Sequence, residues 1–242
     1  MIKKITVFCL FLAFSLPAIS QETTPEKKTG RPDIPGTFVV ELGLNHAVKP
    51  IADFSTGFWG SRSLNLYYTY DIRILKSRVS FVPGIGVSLE RWKFKNGYVL
   101  GYTNDSLKLN KPSAMGYDRL AKSQFVANYI EAPLEFVYRS KPDDPARSFK
   151  FAIGGRIGYS FDSFTKVKYR EGGEIKKIKD KQDFEINKFR YSLSARVGLG
   201  NVAVFGYYNM TPLFESGKGP LDPKKGQKDF KTFTIGISLS AF

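Results

Sequence analysis

The chain has 242 residues, with 37 Lys and Arg against 22 Asp and Glu, one Cys and one His. A lone cysteine excludes disulfides within the chain, and one histidine beside it offers no metal-ligand cluster, so no metal or other cofactor is expected. The formal charge of +15 would ordinarily raise nucleic acid as a partner.

The first twenty residues argue against that. Lys3 and Lys4 precede an apolar core from Ile5 to Leu16 and a small-residue exit at Ala18-Ile19-Ser20, the three zones of a secretory signal peptide. The apolar stretch is short for a membrane-crossing helix. Cys9 lies inside it, so a mature chain beginning near Gln21 carries no thiol, which suits an oxidising compartment. Export removes nucleic acid as a partner. Without Lys3 and Lys4 the balance is 35 basic against 22 acidic residues, or +13, and anionic lipid headgroups or surface polyanions become the expected counterparts. No later stretch reads as a membrane helix, so any insertion must be by strands.

Residues 21–36 are rich in Thr, Pro, Lys and Glu without periodicity and read as a flexible periplasmic lead-in. From Thr37 the pattern has period two. Phe38, Val40, Leu42 and Leu44 alternate with Val39, Glu41, Gly43 and Asn45, and Leu64 to Ile74 alternate with Asn65, Tyr67, Thr69, Asp71 and Arg73. After a turn at Lys76-Ser77, Val79 to Leu89 alternate with Ser80, Val82, Gly84, Gly86, Ser88 and Glu90. Ile130, Ala132, Leu134, Phe136 and Tyr138 oppose Glu131, Pro133, Glu135 and Val137. Phe149 to Phe161 oppose Lys150, Ala152, Gly154, Arg156, Gly158 and Ser160, and Phe189 to Leu199 oppose Arg190, Ser192, Ser194, Arg196 and Gly198. Val202 to Met210 is a strand of undecided parity, and Phe233, Ile235, Ile237 and Leu239 close the chain. Each run has one apolar face and one small or polar face.

The connections alternate in length. Lys76-Ser77, Ser140 to Arg147 and Gly200-Asn201 are short; Val48 to Gly60, Lys93 to Phe125, Asp162 to Asn187 and Thr211 to Asp229 are long. Even strand number, short turns on one side and long loops on the other predict an all-β, eight-stranded antiparallel transmembrane β-barrel over 37–242, with periplasmic turns and extracellular loops. A soluble barrel or sandwich would share the alternation but not this regularity.

The polar faces then line a lumen. Glu41, Asp71, Glu90, Glu131 and Glu135 stand against Arg73, Lys150, Arg156, Arg190 and Arg196. Eight strands leave an interior that side chains fill, so these charges are expected to pair rather than line a bore, giving a plugged lumen. The third long loop carries Lys166, Lys168, Arg170, Lys176, Lys177, Lys179 and Lys181, a candidate polyanion-binding surface for lipopolysaccharide phosphates. Its Gly172-Gly173 pair points to a hairpin prolonging two strands beyond the membrane. His46, at the outer end of the first strand, is the one candidate for catalysis, of the kind a lipid A-modifying enzyme uses at this level. The glycines of Gly154 to Gly158 lie within a strand and are packing residues, not a phosphate loop.

The segment Tyr129-Ile130-Glu131-Ala132-Pro133-Leu134-Glu135-Phe136-Val137-Tyr138-Arg139 resembles the Y-x-E-x-P-L-x-x-x-Y-[RK] strand of the PorT-like outer-membrane β-barrel family of Bacteroidetes, and the later Pro212 to Phe214 resembles it as well. The resemblance implies an outer-membrane location and an eight-stranded barrel; one branch is linked to type IX secretion. Phe242 departs from the usual outer-membrane ending, since the apolar alternation through Ile235, Ile237 and Leu239 is out of phase with it. The expected function is non-enzymatic: a monomeric barrel with a structural or interaction role through its basic loops. An accessory part in a secretion machine and a His46-dependent lipid A enzyme are the alternatives, with a protein partner in the envelope possible in the first of these.

Overall fold

The computed structural model describes residues 36–117, 119–222, 226–227 and 229–241. The expected signal peptide, the lead-in up to Pro35 and the terminal Phe242 lie outside the described residues. The barrel strands are β1 (Thr37–Val48), β2 (Arg62–Thr69), β3 (Val79–Lys93), β4 (Arg119–Arg139), β5 (Phe149–Glu171), β6 (Phe189–Leu199), β7 (Val202–Asn209) and β8 (Lys231–Ala241). Each pairs antiparallel with the next in sequence. β8 pairs with β1 from Ala241 opposite Phe38 to Lys231 opposite Val48, which closes an eight-stranded up-and-down barrel.

The period-two pattern decides which side faces what, and the burial is inverted relative to a protein in water. Leu42, Ile85 and Leu193 are 59, 62 and 57% exposed on the outside, whereas Glu41, Asn65 and Ser88 are 0% exposed within. A continuous apolar outer surface over a polar interior is the arrangement that a bilayer stabilises and water does not, so the soluble reading is set aside. The parity of β7 is settled here: Ala203, Phe205, Tyr207 and Asn209 are buried inside, and Val202 and Val204 are exposed outside.

The short turns gather at one end. The β2–β3 turn is centred on Leu75 and Lys76, with φ of 47° and 55°, one residue earlier than the sequence pattern places it. Two consecutive positive φ values make a type I′ turn, whose twist matches the flanking strands. Asp71 and Arg73 stand beyond the last β2 residue, Thr69, in a stretch where only Ile72–Arg73 returns briefly to pair with β3.

The long-loop end is more ordered than its composition implies. Two stretches read as loop are largely strand, because β4 already starts at Arg119 and β5 runs on to Glu171. Beyond β5, Gly172 and Gly173, with φ of 59° and 87°, turn the chain into a strand at Glu174–Asp180 that pairs back from Glu171 opposite Glu174 to Thr165 opposite Asp180. At about 3.3 Å per residue and a tilt near 45°, the 23 residues of β5 rise roughly 54 Å, about twice an apolar band of about 25 Å. The upper half of β4 and β5 therefore stands clear of the membrane.

Over the same end lies an apolar cluster drawn from four loops and the strand tops: Ile51 and Phe54, Trp92 and Phe94, Leu100, Leu107 and Leu109, Phe125, Phe184 and Ile186, Leu213 and Phe214, and Phe230. The hairpin Val99–Thr103 and Ser106–Asn110 supplies three of these residues. Phe54 is its hub, with ring centroids 4.7 to 6.2 Å from those of Trp92, Phe94, Phe214 and Phe230.

Candidate functional site

Two arrangements concentrate charge, one inside the barrel and one on its outer wall. Inside, three arginines and four glutamates interlock. Arg156, from β5, donates to both carboxylate oxygens of Glu41 on β1, at 3.0 and 3.1 Å. Its guanidinium lies 4.5 Å from the ring centroid of Tyr207 and 5.4 Å from that of Tyr67. The Tyr67 hydroxyl donates to Glu131 at 2.5 Å. Arg190, on β6, reaches Glu131 through Nε at 2.8 Å and Nη2 at 2.6 Å, and Glu90 through Nη1 at 2.8 Å, over the face of Tyr129 at 3.5 Å. Arg196 joins Glu41 at 2.9 Å to Glu135 at 3.3 Å. Asn65, Ser88, Ser194, Tyr207 and Ser238 add further hydrogen bonds, while Arg156 Nε, Arg196 Nε and one oxygen of Glu90 are buried without a hydrogen-bond partner among the described residues.

The network thus joins Glu41, Glu90, Glu131 and Glu135 to Arg156, Arg190 and Arg196. The other three charges assigned to the lumen from the sequence are placed differently. Asp71 sits at the short-turn mouth and pairs with Arg139 at 2.5 Å. Arg73 is exposed near the tip of the β2–β3 turn, paired with Asp143 at 2.8 Å, because its short pairing with β3 lies beyond the lumen. Lys150 is at the mouth, donating to Ser240 at 3.2 Å. Tyr67 and Tyr207, central to the network, were not singled out; their inward parity was the available signal. A small cavity of about 60 Å³ inside this mouth is bordered by Glu135, Arg196, Lys150, Arg139 and Asp71.

The outer wall changes character above the apolar band. Going up the outward positions, Arg62 lies opposite Arg91. The next row runs Lys93, Gln124, Lys166 and Lys179, and the one above it Lys122, Lys168 and Lys177. Like charges directly opposite one another repel. The ion pairs nearby hold other residues: Lys176 with Glu171, Lys181 with Asp162, and Lys188 with Asp183. Among the described residues, then, Lys176 and Lys181 of the predicted loop set are neutralised locally, while Lys166, Lys168, Arg170, Lys177 and Lys179 have no carboxylate. Lys166 and Lys179 instead lie over the Phe164 ring, at 5.0 and 4.0 Å. Lys122, on the part of β4 above the membrane, is held below the usual lysine range, first by partial desolvation and then by Lys93, Arg91, Lys168 and Arg62.

Beside these rows is an open groove of about 710 Å³. Its floor is the end of β3 at Lys93, with Phe94 and Lys95 beyond; Thr56 to Gly60 form one wall and Leu120 to Ser123 the other. Phe58 and Trp59 meet edge to face at 5.4 Å and are 53 and 72% exposed. The Trp59 carbonyl accepts a bond from Arg62 Nε at 2.7 Å. The sequence reading passed over this aromatic pair, although a Trp between Gly57 and Gly60 in a loop was a visible signal.

His46 lies on the outward face of β1, exposed, opposite Phe233 of β8. Its neighbours Asn45 and Thr234 point inward and bond to each other at 3.0 Å. Among the described residues no group of three or more His, Cys, Asp or Glu is placed to hold a metal ion.

Residues 37–215 match the family described as outer membrane protein beta-barrel domain. The chain belongs to this family. The outer-membrane barrel is also similar to solved structures at low identity. Neisserial surface protein A shares 14% identity, with 85% of this chain and 98% of that one covered and a TM-score of 0.34. Ail, the attachment invasion locus protein of Yersinia pestis, solved with the heparin analogue sucrose octasulfate, shares 10% over 85% and 97%, with a TM-score of 0.32. The N-terminal β-barrel domain of Pseudomonas aeruginosa OprF shares 7% over 86% and 98%, with a TM-score of 0.29. No curated protein matches the chain.

Proposed function

We propose that this outer-membrane barrel is a non-enzymatic surface-binding protein with a closed lumen, whose basic upper wall and hairpin hold anionic groups of the cell surface, lipopolysaccharide foremost. The observation that carries the reading is the pair of cation rows, Lys166 opposite Lys179 and Lys168 flanked by Lys122 and Lys177. Strand pairing holds these amines face to face without carboxylates, so an external anion relieves repulsion that the fold itself creates. Closure is supported by the interlocked Arg and Glu network at mid-depth and by the apolar cluster above it.

The Tyr129 to Arg139 strand is the segment that resembles PorT-like barrels. Its Glu131 and Glu135 both enter the lumen network, so these two positions serve the barrel interior.

The test is reconstitution into vesicles with and without lipopolysaccharide. The wild-type barrel is expected to bind lipopolysaccharide, and changing Lys166, Lys168, Arg170, Lys177 and Lys179 together to Gln is expected to weaken binding at least tenfold. Unchanged binding would overturn the reading. A stable, porin-sized conductance in planar bilayers would overturn the closed lumen.

A further inference from the structure

We propose that the groove between Trp59 and Lys122 is a specific site for the phosphorylated sugar headgroup of an outer-leaflet glycolipid, the indole stacking on a sugar ring and Lys93 and Lys122 holding its phosphate. The inference rests on the surface-binding reading above and gives it a defined site and ligand.

Three features converge. The first is depth. Arg62 directly continues the outward positions of Leu64 and Leu66 on β2, and Arg91 those of Val87 and Leu89 on β3. Cations therefore begin where the hydrocarbon-facing stripe ends, at the level of the headgroups and within reach of a lipid whose chains lie along that stripe. The second is charge. Arg62, Arg91, Lys93, Lys122 and Lys168 crowd together closely enough to perturb Lys122, and among the described residues none pairs with a carboxylate. A phosphate offers several acceptor oxygens to such a cluster, and its charge-assisted bonds are about twice as strong as neutral ones.

The third is the aromatic wall. Indole is amphipathic and favours the membrane interface, but Trp59 here turns its surface to a groove of about 710 Å³, within the size range of small-molecule sites. Phe58 buttresses it edge to face, and the bond from Arg62 to the Trp59 carbonyl ties the loop to the cation row. A flat apolar face and two ammonium groups lining one groove match a ligand that carries both a sugar ring and a phosphate.

Native mass spectrometry on the mature barrel released from nanodiscs tests this, with purified bis-phosphorylated lipid A and its fully dephosphorylated form as probes. The wild type is expected to retain the phosphorylated lipid and not the dephosphorylated one. Trp59→Ala and the double variant Lys93→Ala with Lys122→Ala are each expected to lower retention at least tenfold, with the heat-dependent gel mobility of a folded barrel unchanged. Trp59 is largely exposed, so its replacement keeps the test valid if the double variant folds poorly. Retention that survives the loss of Trp59 overturns the site, whereas equal binding of a soluble phosphorylated disaccharide lacking acyl chains overturns the assignment to a lipid and gives the groove to a free phosphosugar. A separate hairpin variant, Lys176→Gln with Lys177→Gln and Lys179→Gln, distinguishes the two levels of the argument. If it loses lipopolysaccharide while the groove variants keep it, the groove falls and the surface-binding reading stands; if the wild type retains neither lipid, both fall.

Discussion

Replacing Arg190 with Met keeps most of the side-chain volume and removes the charge that three groups on two strands depend on. Glu131 would lose donors at 2.8 and 2.6 Å, Glu90 one at 2.8 Å, and Ser88 one at 3.2 Å. The two carboxylates would keep only the neutral phenols of Tyr67 and Tyr207, in a region where Glu90 and Glu131 are each 1% exposed. Removing one partner from a buried ion pair costs about 3–5 kcal/mol, and stranding two carboxylates places this change toward the upper end. With a urea slope of about 2–3 kcal/mol per molar, the midpoint of unfolding from vesicles should fall by roughly 1–2 M, read by tryptophan fluorescence and by the temperature at which the folded gel band disappears. Adding Glu90→Gln and Glu131→Gln should restore most of the loss, since polar groups of the same shape then remain without net charge. A single variant within about 1 kcal/mol of wild type, or a triple variant no better than the single, would refute the account of the lumen as an electrostatic unit.

Phe54→Ala should cost about 3–5 kcal/mol, the usual range for an emptied aromatic site. Because Phe54 joins four rings of the loop cluster, proteolysis should cut the loops readily while the barrel band persists; uncut loops would count against a shared cap. Gly86→Val should destabilise by about 1–3 kcal/mol or more in the same urea assay, because an added Cβ would come within 2.0 Å of the Leu66 carbonyl and 2.7 Å of the Tyr67 ring; a neutral result would mean that Tyr67 can reach Glu131 from elsewhere. Asp183 is held below the usual carboxylate range, first by the hydrogen bond from Lys188. Its contribution is therefore present above the ordinary aspartate value near 3.9 and is lost as the pH falls through the lowered one. Asp183→Asn should remove this acid-dependent part of loop protection measured by acid-active protease, and an unchanged pH profile would dissociate the pair from loop order.

Parity was legible in the sequence and depth was not. Glu41 and Asp71 both occupy polar positions of alternating runs, yet one is at the centre of the network and the other at its mouth, because nothing in a period-two pattern says where a strand leaves the wall. β7 resisted a parity assignment for a physical reason. Its inward Phe205 and Tyr207 are as apolar as its outward Val202 and Val204, since the inward rings pack against the Arg156 guanidinium rather than against lipid. The loop cluster was hidden because Ile51, Phe54, Phe184, Phe214 and Phe230 are scattered over distant segments with no periodicity. The lysines among them drew attention to solvent, whereas the aromatics were forming a core. The groove was missed for a related reason: Trp59 belongs to one loop and Lys122 to another, and only the pairing of β3 with β4 and of Phe94, just beyond β3, with Thr56 brings them together.

A closed barrel has no unpaired strand, but the segment Glu174–Asp180 recreates one. It pairs with β5 on one side only, high above the bilayer, and so presents a row of free backbone donors and acceptors to whatever surrounds the cell. Such an edge is a template for adding a further strand from a neighbouring chain. Lys176, Lys177 and Lys179 stand along it, all exposed, and charged edge residues are a device by which proteins discourage that event. These lysines thereby discourage neighbouring copies from stacking edge to edge, and if surface phosphates bind them as proposed, neutralising them would loosen that restraint and make clustering of the protein depend on the anions around it.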